Sequence, residues 1–414
     1  AADALTCLLL WRIGRRLGVE WPGLAAAVLW ALAPYSVTFA IGGLETSLYV
    51  LLLTAAVWAH LTRRGALAAL CASLALLTRP DALLLAAPLA LDRLLQAFRG
   101  RRFSAAEFAC LLLPLFAWYG FAWAYFGSPI PHSVQAKLVT YRLGPGASFI
   151  RLIQHYATPF LEQNIYGIPA IGVGLVLYPF LALVGARRLW RAERSATPWL
   201  LYPWLYLAAF AIPNPLIFRW YLTPPLPAYF FLILCGAEQL LRALFARRAA
   251  PAVGWRVWLP AALILLLPLA SQMSEWRWRL DHGPQRPAPE MAFIKLELLY
   301  RQAAERAAAD LTAETVLAAG DVGVLGYYTP ARILDTVGLN SPVSLNYYPL
   351  DPAYYAINYA VPPRLILDQQ PDYLILLEVY GRLGLLPNPD FQAQYTLLET
   401  LPTDIYGTRG MLIF

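Results

Sequence analysis

Charged residues are scarce in this chain. Only 14% of its 414 residues are charged, whereas 59% are hydrophobic. A typical soluble domain has about 25% charged and roughly 45–50% apolar residues. The shortage is confined to residues 1–275, because residues 281–414 carry acidic and basic residues at ordinary density. An ordinary soluble enzyme is therefore excluded for the first part of the chain.

Residues and motifs that mark metal centres, disulfide frameworks and nucleotide sites are also few. The chain has four cysteines and four histidines; each cysteine lies in an apolar run, and the histidines are widely separated. A Cys-x-x-Cys pair, a P-loop and a Gly-x-Ser-x-Gly motif are all missing. We therefore expect no cofactor, and the sequence leaves the use of a divalent cation open.

The net charge of +7 does not indicate a nucleic-acid partner. Most arginines stand at the ends of apolar runs, where the orientation of a membrane protein is set. A nucleic-acid-binding domain would instead cluster them on one face. Membrane lipids are thus the expected surroundings of the chain.

Apolar runs of spanning length predict an α-helical polytopic membrane domain over residues 1–280. A spanning helix needs about 20 apolar residues. The run between Arg64 and Arg93 is interrupted at Pro80, which disfavours helix at Arg79 and predicts a hairpin of two short helices. The sequence then gives about ten membrane segments, at 3–17, 22–41, 46–62, 66–77, 81–92, 106–126, 167–186, 197–212, 220–241 and 255–273.

Connecting segments rich in arginine alternate with connecting segments that have few arginines along this series. These connecting segments are called joints. The positive-inside rule predicts that the dense joints face the cytoplasm. It follows that the C-terminal domain is extracytoplasmic. The joints expected outside are 42–45, 78–81, 127–166 and 213–219.

Residues 281–414 predict a small extracytoplasmic α/β domain. A helical run at 288–310 precedes the first of three predicted strands, and a Gly-rich turn at 320–328 opens a short helix. The spacing of its glycines differs from a dinucleotide-binding fingerprint. The predicted strands are 314–319, 331–337 and 372–377.

Three ionisable residues near predicted outer ends are candidate catalytic or binding groups, because charge at membrane depth is costly. Glu45 would bind a sugar hydroxyl or act as a general base, or it would merely stabilise a helix N-terminus. Arg79 would bind a phosphate through two hydrogen bonds from its guanidinium group, and Asp81 would be a second catalytic carboxylate. The alternative is a structural Arg79–Asp81 ion pair.

Three cations complete the set of candidates. His132 and Lys137 follow a Pro-rich entry at 127–131, and they would bind phosphate or sugar, or else lie in a solvated loop. Arg219 precedes a segment whose prolines break the start of a span. It would face a polyprenyl phosphate or snorkel to the interface.

Four short segments together resemble the C-type (GT-C) membrane glycosyltransferases. Three of them are similar to segments of the mycobacterial terminal β-1,2-arabinofuranosyltransferase and its bacterial relatives: Gly43-Leu44-Glu45-Thr46, Thr78-Arg79-Pro80-Asp81 and Tyr125–Lys137. The fourth, Gly320–Tyr328, is similar to the extracytoplasmic tails of many such enzymes. The resemblance implies an inverting hexosyl- or pentosyltransferase of cell wall biogenesis in a bacterial plasma membrane. Its donor would be a polyprenyl-phosphate sugar, and its acceptor an extracytoplasmic glycan, lipid or protein.

The first outer loop departs from the pattern of that family. The resemblance implies a catalytic Asp between the first two spans, but no such loop precedes residue 42. The chain begins at Ala1 within an apolar run, so we expect that N-terminal residues are missing and that Glu45 or Asp81 is the only substitute here. The alternatives are a transporter or flippase for lipid-linked glycans, and a non-catalytic scaffold whose tail binds cell-wall polymer.

Overall fold

The computed structural model describes residues 1–100, 103–161, 166–246, 255–276 and 294–414. The chain forms two compact units: Ala1–Pro129 with Gly146–Arg277, and Ile130–Pro145 with Trp278–Phe414. The sequence predicts a division at 280/281, which assigns all of 127–166 to the membrane domain. The structure instead assigns residues 130–145 to the second unit.

The first unit is built of helices. Every apolar segment predicted from the sequence contains helix, although the predicted segment 22–41 is split at Ala33 and Pro34. A further helix, Ala147–Ala157, is amphipathic. The helices are α1 (Ala2–Arg16), α2 (Glu20–Leu32), α3 (Pro34–Ile41), α4 (Thr46–Leu61), α5 (Gly65–Thr78), α6 (Leu83–Phe98), α7 (Ala105–Phe126), then, after α8 (His132–Val139) of the second unit, α9 (Ala147–Ala157), α10 (Gly167–Ala192), α11 (Thr197–Ala211), α12 (Leu226–Ala246) and α13 (Trp255–Met273).

Only some of these helices are long enough to cross a membrane. Among the described residues, Ala105–Phe126, Gly167–Ala192 and Leu226–Phe245 qualify, and α2 with α3 would make a fourth span bent by 51°. The expected ten spans are therefore not supported. The reason is length: the 16 residues of α4 rise only about 24 Å at 1.5 Å each. Helix breaks at Pro34 and Pro80 shorten other segments.

Two glycines allow α10 and α12 to pack backbone against backbone. A Cβ added at Gly185 would lie 2.0 Å from the Leu232 carbonyl oxygen, and one at Gly236 would lie 2.0 Å from that of Leu181. Small residues at helix interfaces in membranes permit this close approach. No larger side chain fits at either position.

Gly185→Val should separate α10 from α12, because the added atoms meet backbone that cannot rotate away. We expect a loss of about 3 kcal/mol or more in the free energy of unfolding, measured as a lower melting temperature in detergent. Gly172→Val is the matched control on the same helix, since a Cβ added at Gly172 has no neighbour within 4 Å. Equal melting temperatures for the two variants would contradict the close packing.

The second unit contains a five-stranded sheet with the order β2-β1-β3-β5-β4. β1 pairs in parallel with β2 and β3, whereas β5 pairs antiparallel with β3 and β4. The sequence predicts the three parallel strands but not β4 and β5, which have three residues each. The strands are β1 (Val316–Ala319), β2 (Arg332–Asp335), β3 (Tyr373–Leu377), β4 (Glu399–Leu401) and β5 (Met411–Ile413).

Short helices and the segment 130–145 complete the second unit. The expected helix at 288–310 is present as α14 from Ile294, and its first six predicted residues lie outside the described ones. The segment 130–145 is joined to the unit where the Arg142 N–H donates to the Asn358 carbonyl at 2.9 Å. The helices are α14 (Ile294–Ala307), α15 (Gly323–Tyr328), α16 (Pro363–Gln369), α17 (Glu378–Gly381) and α18 (Pro389–Gln394).

A buried carboxylate fastens the end of β3 to the loop before β5. Glu378 accepts two hydrogen bonds from the Arg382 guanidinium, at 2.9 and 2.7 Å, and one from the Arg409 backbone N–H at 3.2 Å. These donors, Arg382 first, hold the pKa of Glu378 below its usual 4.5. The ionised form is therefore the one that the fold stabilises.

Glu378→Gln should lower the free energy of unfolding of this unit by about 1–3 kcal/mol, because charge-assisted hydrogen bonds are lost. The contribution of Glu378 in the wild type is present above pH 4.5 and is lost as the pH falls through the lower pKa of the folded state. Melting temperatures measured between pH 7 and pH 3 should therefore converge for the two proteins. A constant difference across that range would contradict the role of the charge.

Candidate functional site

Arg79 and Asp81 form a buried ion pair at the break between α5 and α6. The Arg79 Nε–H donates to Asp81 Oδ1 at 2.9 Å, and Nη2 donates to Oδ2 at 3.2 Å. Pro80 begins a single turn of 3₁₀ helix, and Arg79 has extended backbone there. The break thus turns both side chains toward each other, as the structural alternative predicts.

Glu45 joins this pair from the residue before α4. Its Oε1 accepts a hydrogen bond from Arg79 Nη1 at 3.4 Å. The Glu45 side chain is 42% exposed, against 6% for Arg79 and 11% for Asp81. It makes no capping bond to its own helix. Of the two carboxylates, Glu45 is therefore the one that an outside molecule can readily reach.

Tyrosines enclose the guanidinium of Arg79. Its Cζ lies 4.6 Å from the ring centroid of Tyr221 and 5.1 Å from that of Tyr49, and the Tyr206 hydroxyl donates to Asp81 Oδ2 at 3.3 Å. Cation–π contacts of this kind stabilise a desolvated cation by about 2 kcal/mol. We call Glu45, Arg79, Asp81 and Tyr206 the Arg79 cluster.

Buried hydroxyl groups with few or no hydrogen-bond partners line the same region. Within the described residues, Thr46 Oγ1 has no hydrogen-bond partner, and the hydroxyls of Tyr49 and Tyr202 have none apart from each other. Thr46 and Tyr49 share a face of α4 directly after Glu45, and Tyr202 lies one turn before Tyr206 on α11. Buried polar groups are nearly always satisfied by protein or water. Hydroxyl groups that could still donate or accept hydrogen bonds therefore lie beside the Arg79 cluster.

Arg219 belongs to a second group of polar side chains. Its turn carries Tyr221 against Arg79, but its own guanidinium lies within electrostatic reach of Arg151, Tyr35 and Glu275. Burial is the main cause that lowers the pKa of Arg219, and the positive charge of Arg151 lowers it further. We call Tyr35, Arg151, Arg219 and Glu275 the Arg219 cluster.

The position of Arg151 follows from contacts on either side of it along α9. The Ser148 N–H donates to Asn214 Oδ1 at 2.9 Å, and His155 Nε2 lies 2.8 Å from the Leu222 carbonyl oxygen. Residues spaced by three and four share a helix face, so Arg151 lies on the same face toward the segment that carries Arg219. Arg151 is not among the residues predicted from the sequence, although its spacing of four from His155 is a signal that could have indicated it.

The remaining two candidates belong to the second unit. His132 begins α8, and Lys137 lies in its last turn. The structure thus brings together Glu45, Arg79 and Asp81, places Arg219 in the neighbouring cluster of the same unit, and leaves the roles of His132 and Lys137 as predictions. Among the described residues, no three His, Cys, Asp or Glu side chains form a group suited to a metal ion.

Comparison with known protein families matches the C-terminal part of the chain. Residues 292–414 match a family described as a domain of unknown function (DUF8728). No curated protein and no solved structure matches the chain significantly.

Arg79→Ala should destabilise the first unit by about 3–5 kcal/mol, because Asp81 would stay buried without its cation. The double variant Arg79→Ala/Asp81→Ala should melt at a higher temperature than Arg79→Ala alone, since no uncompensated charge remains. Arg12→Ala, at an exposed arginine, is the control. If Arg79→Ala had the same melting temperature as the wild type, the pair would not stabilise the fold.

Proposed function

We propose that this protein transfers a sugar from a polyprenyl-phosphate donor to an extracytoplasmic glycan, lipid or protein acceptor. The observation that carries the proposal is the Arg79 cluster: a reachable carboxylate held by a buried cation at a break between apolar helices. Ionisable groups in such surroundings are functional candidates by default, because they are costly to retain. The reaction class comes from the resemblance to GT-C glycosyltransferases.

Glu45 is the proposed general base. In an inverting transfer, the acceptor hydroxyl loses its proton to the base as its oxygen forms the bond to the anomeric carbon. The bond from that carbon to the phosphate oxygen breaks, and polyprenyl phosphate leaves with the electron pair. Glu45 suits the first role because it is exposed, and because Arg79 fixes its position with one hydrogen bond.

Arg79 is proposed as a positioning residue and not as the phosphate ligand. Two of its donors already serve Asp81 and a third serves Glu45. Asp81 in turn is bound by both Arg79 and Tyr206, so its oxygens have little freedom to act on a substrate. The pair would orient Glu45, as the partner of a catalytic base commonly does.

Arg151 and Arg219 are the proposed ligands of the donor phosphate. Among the described residues, the charges that act on Arg219 are those of Arg151 and Glu275, so the three side chains together carry one net positive charge that an anionic headgroup would balance. His155 packs against Tyr35 of the Arg219 cluster, and its buried Nδ1 has no hydrogen-bond partner among the described residues, so it offers a further polar contact. His132 and Lys137 are retained as predicted phosphate or sugar ligands of the second unit.

The membrane setting belongs to the same proposal. The donor would be a lipid of the bacterial plasma membrane, bound by the helices of the first unit, and the α/β unit would lie on the extracytoplasmic side. Helices that could span a membrane support the membrane association. The sugar would be a pentose or a hexose, such as arabinofuranose or mannose, destined for the cell wall.

Glu45→Gln should reduce transfer by about 10²–10⁴-fold, the usual effect of losing a general base, while the Arg79–Asp81 pair keeps the fold. Turnover is measured in liposomes with radiolabelled polyprenyl-phosphate arabinose or mannose and a glycan acceptor. Glu20→Gln is the control, because Glu20 is an exposed carboxylate at the start of α2. Movement of the labelled lipid across the bilayer without transfer would refute the enzyme and favour the flippase.

A further inference from the structure

A cavity of about 210 Å³ lies among three helices of the first unit. Residues of α5, α6 and α7 line it, and the lining covers about two turns of α5 and two turns of α6. Alanines contribute much of this lining, and their short side chains leave space that larger residues would fill. These alanines are Ala68, Ala69, Ala72, Ala86 and Ala90.

Polar contacts hold the three helices in place around the cavity. At one end, the Arg93 guanidinium on α6 donates to both carboxylate oxygens of Glu107 on α7, at 2.8 and 3.0 Å. Gly65 begins α5 against the same carboxylate, so closely that an added Cβ would lie 2.5 Å from Glu107 Cδ. At the other end, the Ser73 hydroxyl donates to the Leu111 carbonyl oxygen at 2.9 Å. The cavity is therefore a built feature of the fold.

The cavity is long and narrow. Its lining extends from Gly65 to Ala72 on α5 and from Ala86 to Arg93 on α6, which is about 10 Å at 1.5 Å per residue. Its volume exceeds the roughly 150 Å³ of an apolar cavity that holds one benzene ring, so on the same scale it holds about eight carbon atoms. That volume, spread over that length, suits one unbranched hydrocarbon chain better than a ring or a chain with methyl branches.

The walls of the cavity are apolar, and a hydrocarbon medium is close by. Leu89 and Leu111 lie among the alanines of the lining. α7 is long enough to cross a membrane, and nearly all of its length is exposed at the surface of this unit. Apolar cavities stay free of water and take up apolar molecules. Beside an exposed spanning helix, the nearest apolar molecules are the acyl chains of membrane lipids.

Exposed arginines lie at the Gly65 end of the cavity. Arg64 directly precedes Gly65, and Arg99 directly follows α6. Both side chains are exposed, and within the described part of the chain neither forms an ion pair. The Arg64 guanidinium lies 4.9 Å from the centroid of the Trp58 ring. Basic residues beside the apolar part of a membrane protein attract anionic lipid headgroups.

The acidic residues at this end are engaged elsewhere. Asp92 Oδ2 lies 2.8 Å from His60 Nε2, and it accepts a hydrogen bond from the Gln96 amide at 2.7 Å. Both oxygens of Glu107 accept from Arg93. Neither carboxylate is paired with the two exposed arginines, so positive charge remains at this end of the cavity.

We propose that this cavity binds one acyl chain of an anionic phospholipid, whose headgroup lies against Arg64 and Arg99. The charge selects the headgroup, and the narrow shape selects an unbranched chain. A zwitterionic phospholipid and a methyl-branched prenyl lipid should therefore each bind less tightly. The inference does not rest on the proposed sugar transfer, because Arg79 lies at the opposite end of α5.

The headgroup is tested by native mass spectrometry of the full chain in detergent. The protein is titrated with phosphatidylglycerol or phosphatidylcholine that carry identical unbranched acyl chains, and phosphatidylglycerol should bind at least tenfold more tightly. Arg64→Gln/Arg99→Gln should remove most of this preference. Arg187→Gln/Arg191→Gln, which removes two exposed arginines from α10, is the matched control and should keep it.

The acyl chain is tested by larger residues in the alanine lining. Ala86→Leu should weaken binding of phosphatidylglycerol at least fivefold, while the melting temperature in lipid-free detergent stays the same or rises. Ala87→Leu is the matched control, because Ala87 is exposed at the next position of α6 and does not line the cavity. Ala69→Leu fills the cavity from α5 and should act as Ala86→Leu does, so a folding defect in one variant leaves the other to decide.

A prenyl lipid is the competing occupant, and undecaprenyl phosphate is the probe for it. The inference is overturned if undecaprenyl phosphate displaces phosphatidylglycerol at equal concentration, if the two phospholipids bind equally, or if Ala86→Leu and Ala69→Leu both bind as Ala87→Leu does. Glu45→Gln should bind phosphatidylglycerol as the wild type does. Should Glu45→Gln keep full transfer while Ala86→Leu loses the lipid, the proposed base would be wrong and the lipid site would stand.

Discussion

The pairing of Arg79 with Asp81 is the constraint on which the first unit depends. A guanidinium that is almost fully enclosed among apolar helices must be neutralised, and Asp81 does this with two hydrogen bonds across Pro80. A third donor, on Nη1, then holds Glu45, and the planar face of the guanidinium packs against Tyr49 and Tyr221. One helix break thereby determines where α4, α11 and the Arg219 turn can place their polar groups.

Part of this arrangement could be predicted from the sequence. Apolar runs located the helices, and Pro80 indicated the break because a proline cannot continue an α-helix. The individual candidates Glu45, Arg79 and Asp81 followed from the cost of charge among apolar residues. Their meeting did not, since Glu45 and Arg79 are 34 positions apart and come together only through packing of α4 on α5.

Other features were beyond sequence reasoning for identifiable physical reasons. Strands β4 and β5 have three residues each, too few for an alternating pattern to be recognised. The assignment of α8 to the second unit depends on contacts such as Thr140 Oγ1 to the Val337 carbonyl, nearly 200 residues away along the chain. Apolar length also overstated the number of spans, because prolines divide the runs into shorter helices.

The glycine contact between α10 and α12 has a mechanical consequence. Where carbonyl groups and Cα atoms touch directly, no flexible side chain is left between the helices to absorb a displacement. The two helices must then move together as one rigid body. Any displacement of Arg219 relative to α12 would therefore have to be taken up by the proline-containing residues before Leu226.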